Sequence, residues 1–273
     1  MRFYAALILF ACPLLHAGEV TSVAPVADEK KLRDLNPDRP SSTDNPDTLD
    51  AGHVELEFDF ANYGWAHQDH VTTRTWNIAP TTIRFGITDK IEFEAAYGSY
   101  SHAESKDDTT GIHTDSHGWG DLLLRMKYNF WGNGESSTSF GIISSVLLPT
   151  STGGQGNDMA EGGISLPFYA DLGSGWNVSV TLAGNAVRDP ADDLKFNWIG
   201  GAGIGKNLTE STSVYLEYIN SSTPGVANAW NGLIDIGFAW TLTQNLQVDC
   251  GCNFGVSPDT ERYHPFVGMS VRF

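Results

Sequence analysis

The chain has 273 residues, 41% of them hydrophobic, and carries 33 Asp+Glu against 16 Lys+Arg for a net charge of −17. That length admits one large all-β domain or two ordinary ones. The acidic balance excludes nucleic acid as a partner, because phosphate binding needs a basic face.

Met1-Arg2 offers one positive charge, the run Phe3 to Cys12 is apolar, and Pro13 to Ala17 ends on a small residue. These are the n-, h- and c-regions of a signal peptide over residues 1–17, cleaved after Ala17. The rival reading is a lipoprotein signal, since Leu9-Phe10-Ala11-Cys12 loosely fits a lipidation box. The bulky Phe10, the Pro13 after the cysteine and the short apolar run weigh against it. Residues 18–50 are rich in Asp, Pro, Ser and Thr without a sustained apolar period. They read as an extended segment, either periplasmic or at a barrel mouth. No later stretch offers eighteen uninterrupted apolar residues, so no transmembrane helix is expected.

From His53 onward the pattern has period two. Val54, Leu56, Phe58 and Phe60 alternate with Glu55, Glu57 and Asp59. Trp76 and Ile78 are out of phase with Ile83, Phe85 and Ile87 across Pro80, which predicts a bulge. Ile91, Phe93, Ala95 and Tyr97 alternate with Glu92 and Glu94, and Leu122 to Phe130 alternate with Asp121, Arg125 and Lys127. Further strands are predicted near 81–88, 139–148, 163–172, 176–184, 196–205, 212–220, 232–240, 246–256 and 264–273, about twelve in all. Cys250 and Cys252, two apart on one of these strands, have poor geometry for a bridge.

Short connections near 88–90, 131–138, 173–175, 206–211 and 241–245 alternate with longer ones near 61–72, 101–118, 149–162, 185–195, 221–231 and 257–263. Aromatic residues gather at the strand ends: Phe130, Trp131, Trp176, Trp240 and Phe273 at one, Tyr63, Trp65, Trp119, Trp198, Trp230 and Tyr263 at the other. Apolar rows facing lipid, short periplasmic turns and aromatic girdles describe an all-β, transmembrane, antiparallel up-and-down barrel over residues 51–273, placed in the outer membrane of a Gram-negative cell. A soluble sandwich also alternates. It would have to bury more apolar rows than one inner layer accommodates.

Several stretches resemble a known family. Asp38-Arg39-Pro40 with Thr43-Asp44, Asn45-Pro46, Gly52 and Glu55 resembles its entry motif, and the likeness continues in 80–94, 118–128, 214–218, 246–249 and 265–273. The family is the group of outer-membrane proteins labelled meta-pathway of phenol degradation, or simply transporter. The resemblance implies passive transport of a small, aromatic or hydrophobic solute. The ending also resembles that of outer-membrane barrels in general, which implies that the terminal aromatic, Phe273, is the signal read by the barrel assembly machinery.

No catalytic constellation is expected: no histidine falls mid-strand beside a serine in the predicted strands, and GxSxG, HExxH and CxxC are absent. The expectation is a non-enzyme without cofactor. His67, His70, His113 and His117, with neighbouring Asp and Glu, are metal-capable types on the first two outer loops, but their spacings match no ligand template, and no metal is expected.

The expected lumen carries Glu55, Glu57, Asp59, Glu92, Glu94, Glu217, Asp235 and Asp249 against Arg84, Arg125, Lys127 and Arg272. These twelve can pair into a plug, Asp249 with Arg272 for instance, or line a polar path. In the second case the surplus of acids predicts preference for cations or neutral solutes. The alternative role is a closed structural barrel whose acidic outer loops meet a partner.

Overall fold

The computed structural model describes residues 32–156, 159–189, 193–226, 230–258 and 260–273. The expected signal peptide and the first part of the 18–50 segment lie outside them. The chain forms β1 (Val54–Gln68), β2 (Val71–Ile78), β3 (Thr81–Thr88), β4 (Ile91–Tyr97), β5 (Tyr100–Asp107), β6 (His113–Trp119), β7 (Leu122–Trp131) and β8 (Thr138–Leu148). There follow β9 (Glu161–Gly173), β10 (Trp176–Arg188), β11 (Leu194–Asn207), β12 (Thr212–Ser222), β13 (Trp230–Thr243), β14 (Leu246–Gly255) and β15 (His264–Arg272). No helix among the described residues is long and apolar enough to cross a membrane.

Twelve of these strands, β1, β3, β4 and β7 to β15, make an antiparallel barrel that closes where β1 pairs with β15. Val54 and Phe273 exchange backbone hydrogen bonds of 3.3 and 2.8 Å across that seam. Closure leaves the wall no open edge, which is what lets strands cross lipid.

The side chains are sorted inside out. Among the described residues the buried hydrophobic ones are Leu49, Ile143, Ala170 and Ala239, while twenty-five buried residues are polar or charged. Ile83, Phe85, Leu182, Ile204, Leu216, Ile236 and Val267 stand exposed on the outer surface. A protein in water could not keep this arrangement, since those rows would gain by leaving water.

The expected long loops at 61–72 and 101–118 are strand instead. β1 runs on to Gln68 and turns back through Asp69 and His70, both at positive φ of 46° and 69°. That is the backbone of a tight two-residue hairpin whose twist matches its strands. β2 prolongs β3 past Ala79-Pro80, β5 prolongs β4 past Gly98-Ser99, and β6 prolongs β7 past Gly120-Asp121. Pro80, the site of the expected bulge, is instead the junction at which wall becomes ribbon. β1, β2, β5 and β6 pair in that order as a four-stranded ribbon beyond the barrel wall.

Candidate functional site

The lumen is occupied by the chain's own N-terminal segment. Arg33 and Asp50 meet at the short-turn end: the Arg33 backbone N–H and Nε donate to the Asp50 carboxylate at 3.1 and 2.7 Å. Arg33 Nη1 reaches the Asn133 carbonyl at 3.1 Å, and Arg272 donates to the Arg33 carbonyl at 2.9 Å. The Thr48 hydroxyl donates to the Asp89 carbonyl at 3.0 Å. Between these anchors the segment rises to side chains in the middle of the strands and returns. Residues 33–50 thus lie inside the lumen, deeper than a mouth position, while the earlier part of the 18–50 segment is outside the described residues.

A loop inside a barrel has no strand to bond with, so its N–H groups need other acceptors. Inward carboxylates supply them. Glu57 accepts from the N–H groups of Asp38 and Arg39 at 2.9 and 3.1 Å. Glu217 accepts from those of Ser42 and Thr43 at 2.8 and 3.1 Å, and Glu92 from that of Leu49. The Asp44 N–H donates to Thr181 Oγ1 at 2.9 Å. Here is a physical reason for more inward acids than inward bases: Glu217 is held by neutral donors of the loop, and Glu57 and Glu92 accept from its backbone as well as pairing with Arg84.

The loop's charged side chains settle most of the others. The Asp38 carboxylate lies 2.7 Å from Lys127, 3.6 Å from Arg84 and 3.8 Å from Arg125. The next side chain, Arg39, turns to another sector of the wall. It pairs with Asp59 and, at 2.6 Å, with Asp249, and lies 5.7 Å over the Phe266 ring. Asp44 pairs with Arg125 and accepts from Ser165, while Ser42 donates to Asp235. Within the wall, Arg84 binds Glu55, Glu57 and Glu92 at 2.7–2.9 Å. Arg125 and Lys127 reach Glu94 at 3.2 and 3.3 Å.

All twelve expected lumen residues point inward, and eleven are buried, Arg125 only partly. One pairing is different. Asp249 binds Arg39, and Arg272 instead bonds to Asn245, the Gln244 carbonyl and the Arg33 carbonyl. The loop residues Asp38, Arg39, Ser42, Thr43 and Asp44 were not expected here, nor were their wall partners Thr181 and Ser165. A usable signal existed in inward-phase glycines. A Cβ at Gly86 would lie 2.2 Å from the Asp50 carbonyl, and one at Gly268 would lie 2.3 Å from Arg39. The wall is hollowed where the loop passes.

The outer histidines sit on the ribbon. His67 bonds to Thr72 at 3.0 Å, His70 occupies the tight turn and His113 opens β6. His102 bonds to Asp115, which raises the histidine pKa and lowers that of the aspartate. Ligand atoms of His102, Glu104 and Asp115 come within 4.8 Å of one another, a set that omits all four expected candidates, His67, His70, His113 and His117; His117, in β6, lies 3.5 Å from the other Asp115 oxygen.

Three comparisons bear on the chain. The family described as "Putative MetA-pathway of phenol degradation" matches residues 37–273. No curated protein matches the sequence. Among solved structures, an outer membrane channel from Pseudomonas putida F1 superposes with a TM-score of 0.63 at 12% identity, over 84% of this chain and 98% of that one. The translocator domain of the autotransporter NalP from Neisseria meningitidis gives 0.51 at 10% identity, over 84% and 91%. Such low identities speak to fold alone: a closed twelve-stranded antiparallel barrel.

Proposed function

The chain belongs to the phenol-degradation MetA-pathway family, and from that premise we propose that it is a passive, non-catalytic channel for small solutes, closed by residues 33–50 and opened when that loop withdraws. The observation that carries this reading is the manner of filling. A barrel meant only to be a wall can fill its lumen with its own side chains. Here the wall leaves glycine hollows, and the filling is a segment held by polar contacts and anchored at one end of the barrel. Polar contacts can be exchanged for water. An apolar core could not be.

The solute fits the family label best as a small aromatic or otherwise hydrophobic molecule, carried through without charge. Withdrawal of the loop would free the eight inward acids against four inward bases, and fixed charge of one sign concentrates the opposite ion. Reversal potentials in a planar bilayer under a salt gradient are expected to show preference for cations over anions. Anion preference would refute the assigned path. A barrel that never conducts, in wild type or loop variants, would favour a closed surface-interaction barrel, a reading supported by the polar ribbon beyond the wall.

Phe273 is fully outward at the seam, 70% exposed, in phase with Val267. As the proposed assembly signal it meets the machinery before the barrel closes. Phe273→Asp is expected to lower the yield of heat-modifiable barrel in the outer membrane severalfold, and an unchanged yield would remove Phe273 from that role.

A further inference from the structure

We infer that the outer ribbon carries a binding site for a divalent transition-metal ion, formed by His102 and Glu104 of β5 with Asp115 and His117 of β6. The argument starts from register. His102 pairs directly with His117, and Glu104 pairs directly with Asp115. Residues two apart on a strand share a face, and directly opposed pairs hold their Cβ atoms about 4.5–5.5 Å apart. Two imidazoles and two carboxylates therefore form a square on one face.

The side chains converge. Donor atoms of His102, Glu104 and Asp115 lie within 4.8 Å of one another, and the second Asp115 oxygen is 3.5 Å from His117 Nδ1. Tetrahedral ligands at bond lengths of about 2.0–2.2 Å are separated by less than that, so modest rotamer changes close the set. Exposure makes such changes inexpensive: the side chains of His102, Asp115 and His117 are 39%, 56% and 62% exposed.

The neighbouring cations do not quench the site. Arg74 stands directly opposite Glu104 on β2, yet no ion pair joins them. Lys106 pairs with Asp108 at 3.0 Å instead. An open hollow of about 410 Å³, lined in part by Arg74, Glu104, Lys106 and Asp115, lies beside the cluster and leaves room for a water or anion as a further ligand. The mixed nitrogen and oxygen set suits zinc, nickel or copper. Calcium and magnesium prefer oxygen alone.

The bland account of these residues is a surface hydrogen bond between His102 and Asp115. It explains one pair, while the approach of Glu104 to the same donors, and of His117 to the second Asp115 oxygen, is left over. The two accounts separate in calorimetry. Full-length protein in detergent, stripped with chelator and titrated with zinc chloride, is expected to bind one ion per chain at this site. The variant His102→Ala/His117→Ala should weaken binding at least as much as the roughly hundredfold that loss of a supporting partner can cost. His67→Ala/His70→Ala, on the same ribbon, should leave it unchanged. All four positions are outside the wall, and heat-modifiable migration checks that each variant is folded. Absence of zinc binding by the wild type overturns the inference, as does equal binding by the His102/His117 variant.

Discussion

The double variant Asp38→Asn/Arg39→Gln is expected to convert a barrel that is closed most of the time into one that is open most of the time, read as open probability in single-channel recordings. Asp38 faces Lys127, Arg84 and Arg125, and Arg39 faces Asp59 and Asp249. Removing one partner of a buried ion pair costs about 3–5 kcal/mol, because the other charge is left uncompensated. Moving a two-state equilibrium from 1:99 to 99:1 takes about 5.5 kcal/mol. Two such losses therefore suffice, provided that the freed wall charges regain water when the loop leaves. The wall itself should survive. Its ladder does not involve either residue, and the anchors at Arg33 and Asp50 remain. An intact barrel with unchanged open probability would end the gating proposal.

The wall was legible because each of its strands lies between two different solvents. Glu92 and Glu94 face the lumen while Ile91 and Phe93 face outward, so the period is written into the residue types. The ribbon is strand of the same kind, but both of its faces meet water. Between His102 and Asp107 nothing alternates apolar with polar, and Asp69-His70 lacks the Asn-Gly signature of a two-residue turn. Strand therefore read as loop.

The plug was illegible for a different reason. Its conformation follows from contacts over great separations in sequence, Arg39 with Asp249 and Ser41 with Glu217. Local pattern carries no trace of such pairing. What the sequence did hold was the other half of the match, namely inward acids that outnumber inward bases and glycines at inward positions. The surplus was legible, but its first use, as acceptor for backbone N–H groups, requires knowing what fills the barrel.

Ile236→Arg is expected to destabilise the barrel by about 2–4 kcal/mol, the cost of Arg on the lipid side near mid-depth. Ile236 is central in β13, flanked by Leu216 of β12 and Cys252 of β14, and is 47% exposed on the outer surface. In a soluble sheet an exposed isoleucine would tolerate arginine, since surface changes seldom exceed about 0.5 kcal/mol. In lipid the guanidinium must thin the bilayer or drag water with it. The comparison is Thr209→Arg, an exposed position in the turn between β11 and β12, where the new charge remains in water. Urea unfolding of both variants in lipid vesicles measures the difference. A clear loss for Ile236→Arg beside little change for Thr209→Arg places the apolar rows against hydrocarbon. Equal stability of the two would mean that these rows do not meet lipid, and the inside-out sorting of the barrel would need another cause.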